Sequence, residues 1–173
     1  MDYPAETWLP ANTITARLRY VELPKNLEGI SIAGSKFPMN KEDERTLLKE
    51  VKQAVILRDH GASVNLLPKA KDPQGRYIPG PDAIVNGKIF EFKTITGGID
   101  RIEKHFRNSR KQEESTYIRI VNQNITHSDV IKKLVGVVNS QSYTGGFKGS
   151  LVFTVGYGKL ERTYFIKVQD LKR

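Results

Sequence analysis

The sequence predicts an α/β domain with a mixed central sheet flanked by helices, and three observations carry that prediction. An Asn86-Gly87 pair sits between two runs of β-branched and aromatic residues, as in a hairpin. Apolar residues recur at three- and four-residue spacing in three separate stretches, each with helix-start chemistry or a basic outer face. Short strand-like runs alternate with those stretches, which is the order of an α/β fold.

The 173 residues have the length of one domain, and 38% hydrophobic content is enough to build a core. A formal charge of +9 points to a polyanionic partner, most simply nucleic acid, although many soluble proteins carry such a charge without binding any. The chain has no cysteine, which excludes disulfides and thiolate metal sites. That composition suits a cytoplasmic site of action and equally a protein that crosses membranes unfolded. No apolar run reaches the ~20 residues of a membrane span, so no membrane partner is expected, and the first residues do not read as a signal peptide. His60, His105 and His127 lack metal-ligand spacing.

Residues 1–39 contain Pro4, Pro10, Pro24 and Pro38 and read as an N-terminal extension or docking arm, with one strand-like run from Thr13 to Leu23. Trp8 is expected to anchor the arm on the main body, residues 40–173. Asn40 is a helix N-cap, and Glu42, Asp43 and Glu44 suit the first turn of a helix running to about Asp59. Leu47, Leu48, Val51, Ala54, Val55 and Leu57 form its apolar side, and Glu50 interrupts the row Leu47-Glu50-Ala54-Leu57. Either Glu50 is buried and needs a compensating partner, which a metal site provides, or it extends from the rim to solvent.

Ser63 to Leu67 reads as a short strand ended by Pro68. A basic loop follows, carrying Lys69, Lys71, Arg76 and Tyr77; it is either a solvated connection or a backbone-holding segment in which Tyr77 stacks on a base. After the hairpin, a second helix is expected over about Ile99 to Glu114, with Ile102, Phe106 and Ser109 inward. Arg101, Lys104, His105, Arg107, Arg110 and Lys111 make its other sides basic, either a solvated face or a phosphate-binding one, and Gln112 ends it. A strand at Thr116–Val121, a third helix from Thr126 to about Gln141 and a hairpin of Ser150–Val155 with Arg162–Val168 complete the domain as scaffold.

The chemistry concentrates in the hairpin. A two-residue turn at Asn86-Gly87 pairs Val85 with Lys88 and, counting back, sets Asp82 opposite Glu91. Opposed residues on one face have Cβ atoms roughly 5 Å apart, so the two carboxylates either repel or share a cation. A hard divalent ion resolves the conflict; Mg²⁺ fits best, with Mn²⁺ or Zn²⁺ as alternatives. Strand alternation places Lys93 on the face of Glu91, where an ammonium can assist an attacking water or neutralise charge on a phosphate. Asp82, Glu91 and Lys93 are therefore the candidate catalytic set; the competing reading is an exposed hairpin with ordinary surface charges.

Helix with an inward Glu, strand, Pro81-Asp82 hairpin, Glu91-Phe92-Lys93, helix and strand: this order resembles the core of the PD-(D/E)XK nuclease superfamily. Glu50, Ala54, Leu57, Gly61, Val64, Leu66 and Leu67, then Gly80-Pro81-Asp82-Ala83, Phe90-Glu91-Phe92-Lys93 and a basic helix ending in Gln112, look like the C-terminal tRNase toxin domains of contact-dependent inhibition proteins. Related domains occur on phage and mobile-element proteins, and the similarity covers residues 42–121. The resemblance implies a restriction-endonuclease-like core and a metal-dependent nuclease in which Asp82 and Glu91 bind metal, Glu50 supports it and Lys93 assists the nucleophile. It also implies RNA, tRNA above all, in preference to DNA, and, for a toxin delivered from another cell or encoded by a mobile element, a cognate immunity protein. A DNA endonuclease with the same core and a non-catalytic nucleic-acid-binding or phage structural module are the alternatives.

Overall fold

The computed structural model describes residues 7–69, 72–111 and 115–173, and among these the chain is mixed α/β with eight strands and three α-helices. It divides into two compact units, Met1–Ile89 and Phe90–Arg173.

In the first unit, β1 (Trp8–Pro10) pairs antiparallel with β2 (Ile30–Ala33), β2 pairs parallel with β3 (Val64–Leu66), and β3 pairs antiparallel with β4 (Ala83–Val85). Helix α1 (Lys41–Asp59) packs on β2 and β3 and buries Leu47, Val51, Ala54 and Leu57. Its start is the expected one: the Asn40 side chain accepts from the Asp43 N–H while the Asp43 carboxylate accepts from the Asn40 N–H, a reciprocal capping box.

Two expectations for the first 39 residues are corrected. Residues 30–33 form a strand beside β3 and residues 8–10 a strand beside that one, so the described part of this segment builds the first unit instead of forming an appended arm. Trp8 lies on β1 and is 37% exposed. The strand expected at Thr13–Leu23 is absent; Ala11–Thr13 and Thr15–Arg17 form 3₁₀ turns, followed by irregular chain. The reason is Glu44, buried on α1, whose two carboxylate oxygens accept the backbone N–H groups of Arg19 at 2.6 Å and Tyr20 at 3.0 Å. Those donors are satisfied by a side chain where a strand would need a neighbouring ladder. Glu44→Ala is accordingly expected to lower stability by about 2–3 kcal/mol, since it strands two donors. Urea unfolding measures this, and an unchanged midpoint would show that solvent takes over both bonds.

In the second unit, β5 (Lys88–Ile95, entering from the first), β6 (Ser115–Ile120) and β7 (Ser150–Val155) are parallel neighbours in that order, and β8 (Arg162–Lys167) pairs antiparallel with β7. The near-continuous burial of β6 and β7 is that of interior parallel strands. Helices α2 (Ile99–Lys111) and α3 (His127–Val138) pack on each other, and Ile102, Phe106, Leu134, Ile118 and Phe153 share one core. Thr126 and Asp129 form the capping box of α3. The helix stops short of Gln141 because the Asn139 side chain donates to the carbonyls of both Val135 and Leu171, fixing the chain as it turns away. No helix among the described residues is long and apolar enough to cross a membrane.

Candidate active site

The Asn86-Gly87 turn has the expected type I′ backbone, with φ of 49° at Asn86 and 81° at Gly87. Asn86 also ties the turn to the chain entering β3: its N–H donates to the Ser63 carbonyl at 3.0 Å, and its Oδ1 accepts from the Ser63 N–H at 2.8 Å. Asp82, just ahead of β4, is half-buried, and its carbonyl accepts from the Leu67 N–H at 2.9 Å. The alternation along β5 is also the expected one. Phe90 and Phe92 are buried, whereas Glu91 and Lys93 occupy the other, half-buried face.

Glu91 and Lys93 are brought together in the second unit, with Lys93 Nζ 3.4 Å from Glu91 Oε1. The other oxygen, Oε2, is buried and accepts no hydrogen bond. A carboxylate oxygen withdrawn from water without a donor is costly, and a bound cation is one way to compensate it. The donor set proposed for the metal is all carboxylate, which matches a hard divalent ion. Among the described residues, no three His, Cys, Asp or Glu side chains converge on one metal position.

Glu50 does not reach solvent from the rim. It is buried, and its partner is Lys36, whose Nζ lies 2.9 Å from Oε2 with both side chains about 5% exposed. The pair lines a cleft of about 80 Å³ shared with Asp43, Thr46, Lys69 and Tyr77. The basic loop is tied down at this cleft. The Tyr77 hydroxyl donates to Asp43 at 2.6 Å, a bond to a carboxylate that raises the tyrosine's pKa, and the Lys69 ammonium lies 5.8 Å from the Tyr77 ring centroid. Tyr77 as a whole stays about half exposed, while Arg76 is held within the loop by Asp72 at 2.8 Å. Lys71 lies outside the described residues, as does Gln112.

The basic side of α2 is narrower than its composition suggests. Arg101, Lys104 and Lys111 are exposed, as expected. Arg110 is not: it is 2% exposed and donates to the carbonyls of Gly146, at 3.0 Å, and Lys148. Arg107 is drawn into an ion pair with Glu103 at 3.0 Å and into contacts with Ser140 and Ser142. Helical periodicity places a cation on a face without showing which carbonyls pack there, so both were assigned to the open surface.

His105, also on α2, stands within the electrostatic reach of Lys93. Burial first, then the charges of Lys93, Lys104 and Arg101, lower its pKa from the usual 6.5. A histidine depressed in the folded state contributes stability that is complete above the unfolded value and lost as pH falls through the folded one. An NMR titration should therefore place the His105 midpoint below 6.5, and His105→Asn should flatten the loss of stability on acidification below that pH. A midpoint at or above it would mean that the imidazole is solvated and apart from those charges.

Lys36 had no role in the sequence reading, and Glu44 only that of a negative charge in the first turn of α1. A lysine in the short Gly34–Lys36 turn gives no local signal of a partner on α1. Set against known proteins, the chain matches no family model, no curated protein and no solved structure, so its function has to be read from its own residues.

Proposed function

We propose that the chain is a divalent-metal-dependent endonuclease of the PD-(D/E)XK type that hydrolyses phosphodiester bonds in RNA, with tRNA the preferred substrate. The observation that carries this reading is the buried, unsatisfied Oε2 of Glu91 beside the Lys93 ammonium, on the strand that follows a type I′ turn. In a protein shaped only for stability, such an oxygen would have a donor.

Asp82 and Glu91 would hold the ion, with Glu50 in support. A Mg²⁺ held there would make its bound water more acidic than bulk water and would act as a Lewis acid toward the scissile phosphate. Lys93, positioned through Glu91, stabilises negative charge on the attacking oxygen and on the crowded phosphate. Lys69, Tyr77 and the exposed cations of α2 draw in and hold the polyanion. A toxin role, with a cognate immunity protein and delivery into a target cytoplasm, extends this proposal and rests on the resemblance described above.

The test is incubation of the protein and its Asp82→Ala variant with total tRNA, ribosomal RNA, and duplex and single-stranded DNA, in Mg²⁺ and in EDTA. Metal-dependent loss of tRNA, absent in the variant, is the expected result. Loss of DNA alone would make it a DNA endonuclease, and no cleavage of any polymer would favour a non-catalytic binding module.

A further inference from the structure

The loop after α3 forms one wall of a second polar pocket. This pocket, about 200 Å³ in volume, is lined by Arg107 and Lys111 of α2 and by Ser142, Tyr143, Thr144 and Gly145 of the loop. Among the described residues, two cations, two exposed hydroxyls and a glycine line it, and no carboxylate does. Glu103 does reach Arg107, at 3.0 Å, and neutralises part of its charge; Lys111, one turn further along the helix and exposed, is the cation left to face a ligand.

The loop is held in shape before any ligand arrives. Buried Arg110 donates to the carbonyls of Gly146 and Lys148, the Tyr143 hydroxyl donates to the Gly146 carbonyl at 2.7 Å, and the Tyr143 ring stacks 6.2 Å from Phe106. Arg107 pins the near end through the Ser142 Oγ at 3.2 Å and the Ser140 Oγ at 3.4 Å. At Gly145 a Cβ would come within 2.6 Å of the Tyr143 Oη and 2.7 Å of the Arg110 Cβ, so the close approach of loop and helix needs glycine there. Hydroxyl donors fixed around a single ammonium suit a tetrahedral oxyanion, and fixing them in advance lowers the ordering cost of binding it.

We propose that this pocket is a phosphate subsite for a polynucleotide backbone, with the Lys111 ammonium as its charge and the Ser142 and Thr144 hydroxyls as its donors. The choice of a polynucleotide rather than a free anion rests on the nuclease reading above. The subsite would hold substrate away from the scissile bond, so its variants act on binding rather than on the chemical step.

The experiment uses full-length ¹⁵N-labelled Asp82→Ala protein, which does not consume substrate, titrated with a single-stranded oligoribonucleotide and separately with inorganic phosphate at matched ionic strength. Amide shifts at Ser142, Thr144 and Gly145 with the oligonucleotide are expected. In fluorescence anisotropy, Lys111→Gln should reduce the slope of log affinity against log salt by about one, the loss of one phosphate contact. Ser142→Ala with Thr144→Ala should weaken binding without changing that slope. Lys111 is exposed, so the Lys111→Gln variant is expected to fold, and the dispersion of its own ¹⁵N spectrum checks this. Shifts with inorganic phosphate alone would overturn the proposal in favour of a free-anion site, and no shifts with either probe would overturn it outright. Binding through these residues by a protein that cleaves nothing in Mg²⁺ would sustain the subsite and remove the nuclease reading alone.

Discussion

Glu91→Gln is expected to reduce metal-dependent cleavage by about 10³-fold or more while leaving the protein as stable as the native chain, or more so. The two effects separate because Glu91 Oε2 is buried with no donor. The ion pair that the variant gives up with Lys93 is long, at 3.4 Å, and partly exposed, while the buried oxygen no longer carries charge without a donor, so the folded state gains or breaks even. A group kept for stability behaves in the opposite way, which makes the joint result diagnostic. Asp82→Ala should show the same loss of cleavage, as two carboxylates are needed to hold the ion. The measurements are single-turnover cleavage of tRNA in Mg²⁺ and thermal unfolding of the same preparations. If Glu91→Gln destabilises the protein and leaves cleavage unchanged, Glu91 is a structural residue and the proposed metal site is wrong.

Lys36→Ala should cost about 3–5 kcal/mol of folding stability, because it leaves the Glu50 carboxylate buried without its 2.9 Å partner. Domains have only about 5–15 kcal/mol in total, so this variant should unfold at much lower urea or not fold at all. The double variant Lys36→Met with Glu50→Leu tests the cause, since it replaces the pair with apolar groups of similar length. It should recover most of the loss, as buried ion pairs exchanged for well-packed hydrophobic residues commonly do. The pair also offers a check on the role proposed for Glu50. If Glu50 supports a metal, Mg²⁺ should restore part of the stability of Lys36→Ala by taking the place of the ammonium. Stabilisation absent in Lys36→Ala, with cleavage retained in the double variant, would confine Glu50 to the ion pair.

Much of the architecture was legible because it follows from rules that act over a few residues. Asn86-Gly87 set a type I′ turn since asparagine and glycine tolerate positive φ. Asn40 with Asp43 and Thr126 with Asp129 marked two helix starts, since each side chain reaches a backbone N–H three residues on. Alternation along β5 placed Glu91 and Lys93 on one face and Phe90 and Phe92 on the other. The same local reasoning failed at Thr13–Leu23, where β-branched residues read as a strand that the Glu44 carboxylate converts to irregular chain.

From sequence alone came the α/β class, all three helices, the hairpin and the candidate set Asp82, Glu91 and Lys93. Tertiary structure decided which charges serve the fold and which remain open to a ligand. It gave Glu50 to Lys36, Glu44 to the backbone of Arg19 and Tyr20, and Arg110 to the Gly146 and Lys148 carbonyls. These partners are separated by 14 to 38 residues. A charged side chain carries the same local signal whether it faces water or a buried partner, because burial is a property of the packed chain and not of its neighbours in sequence.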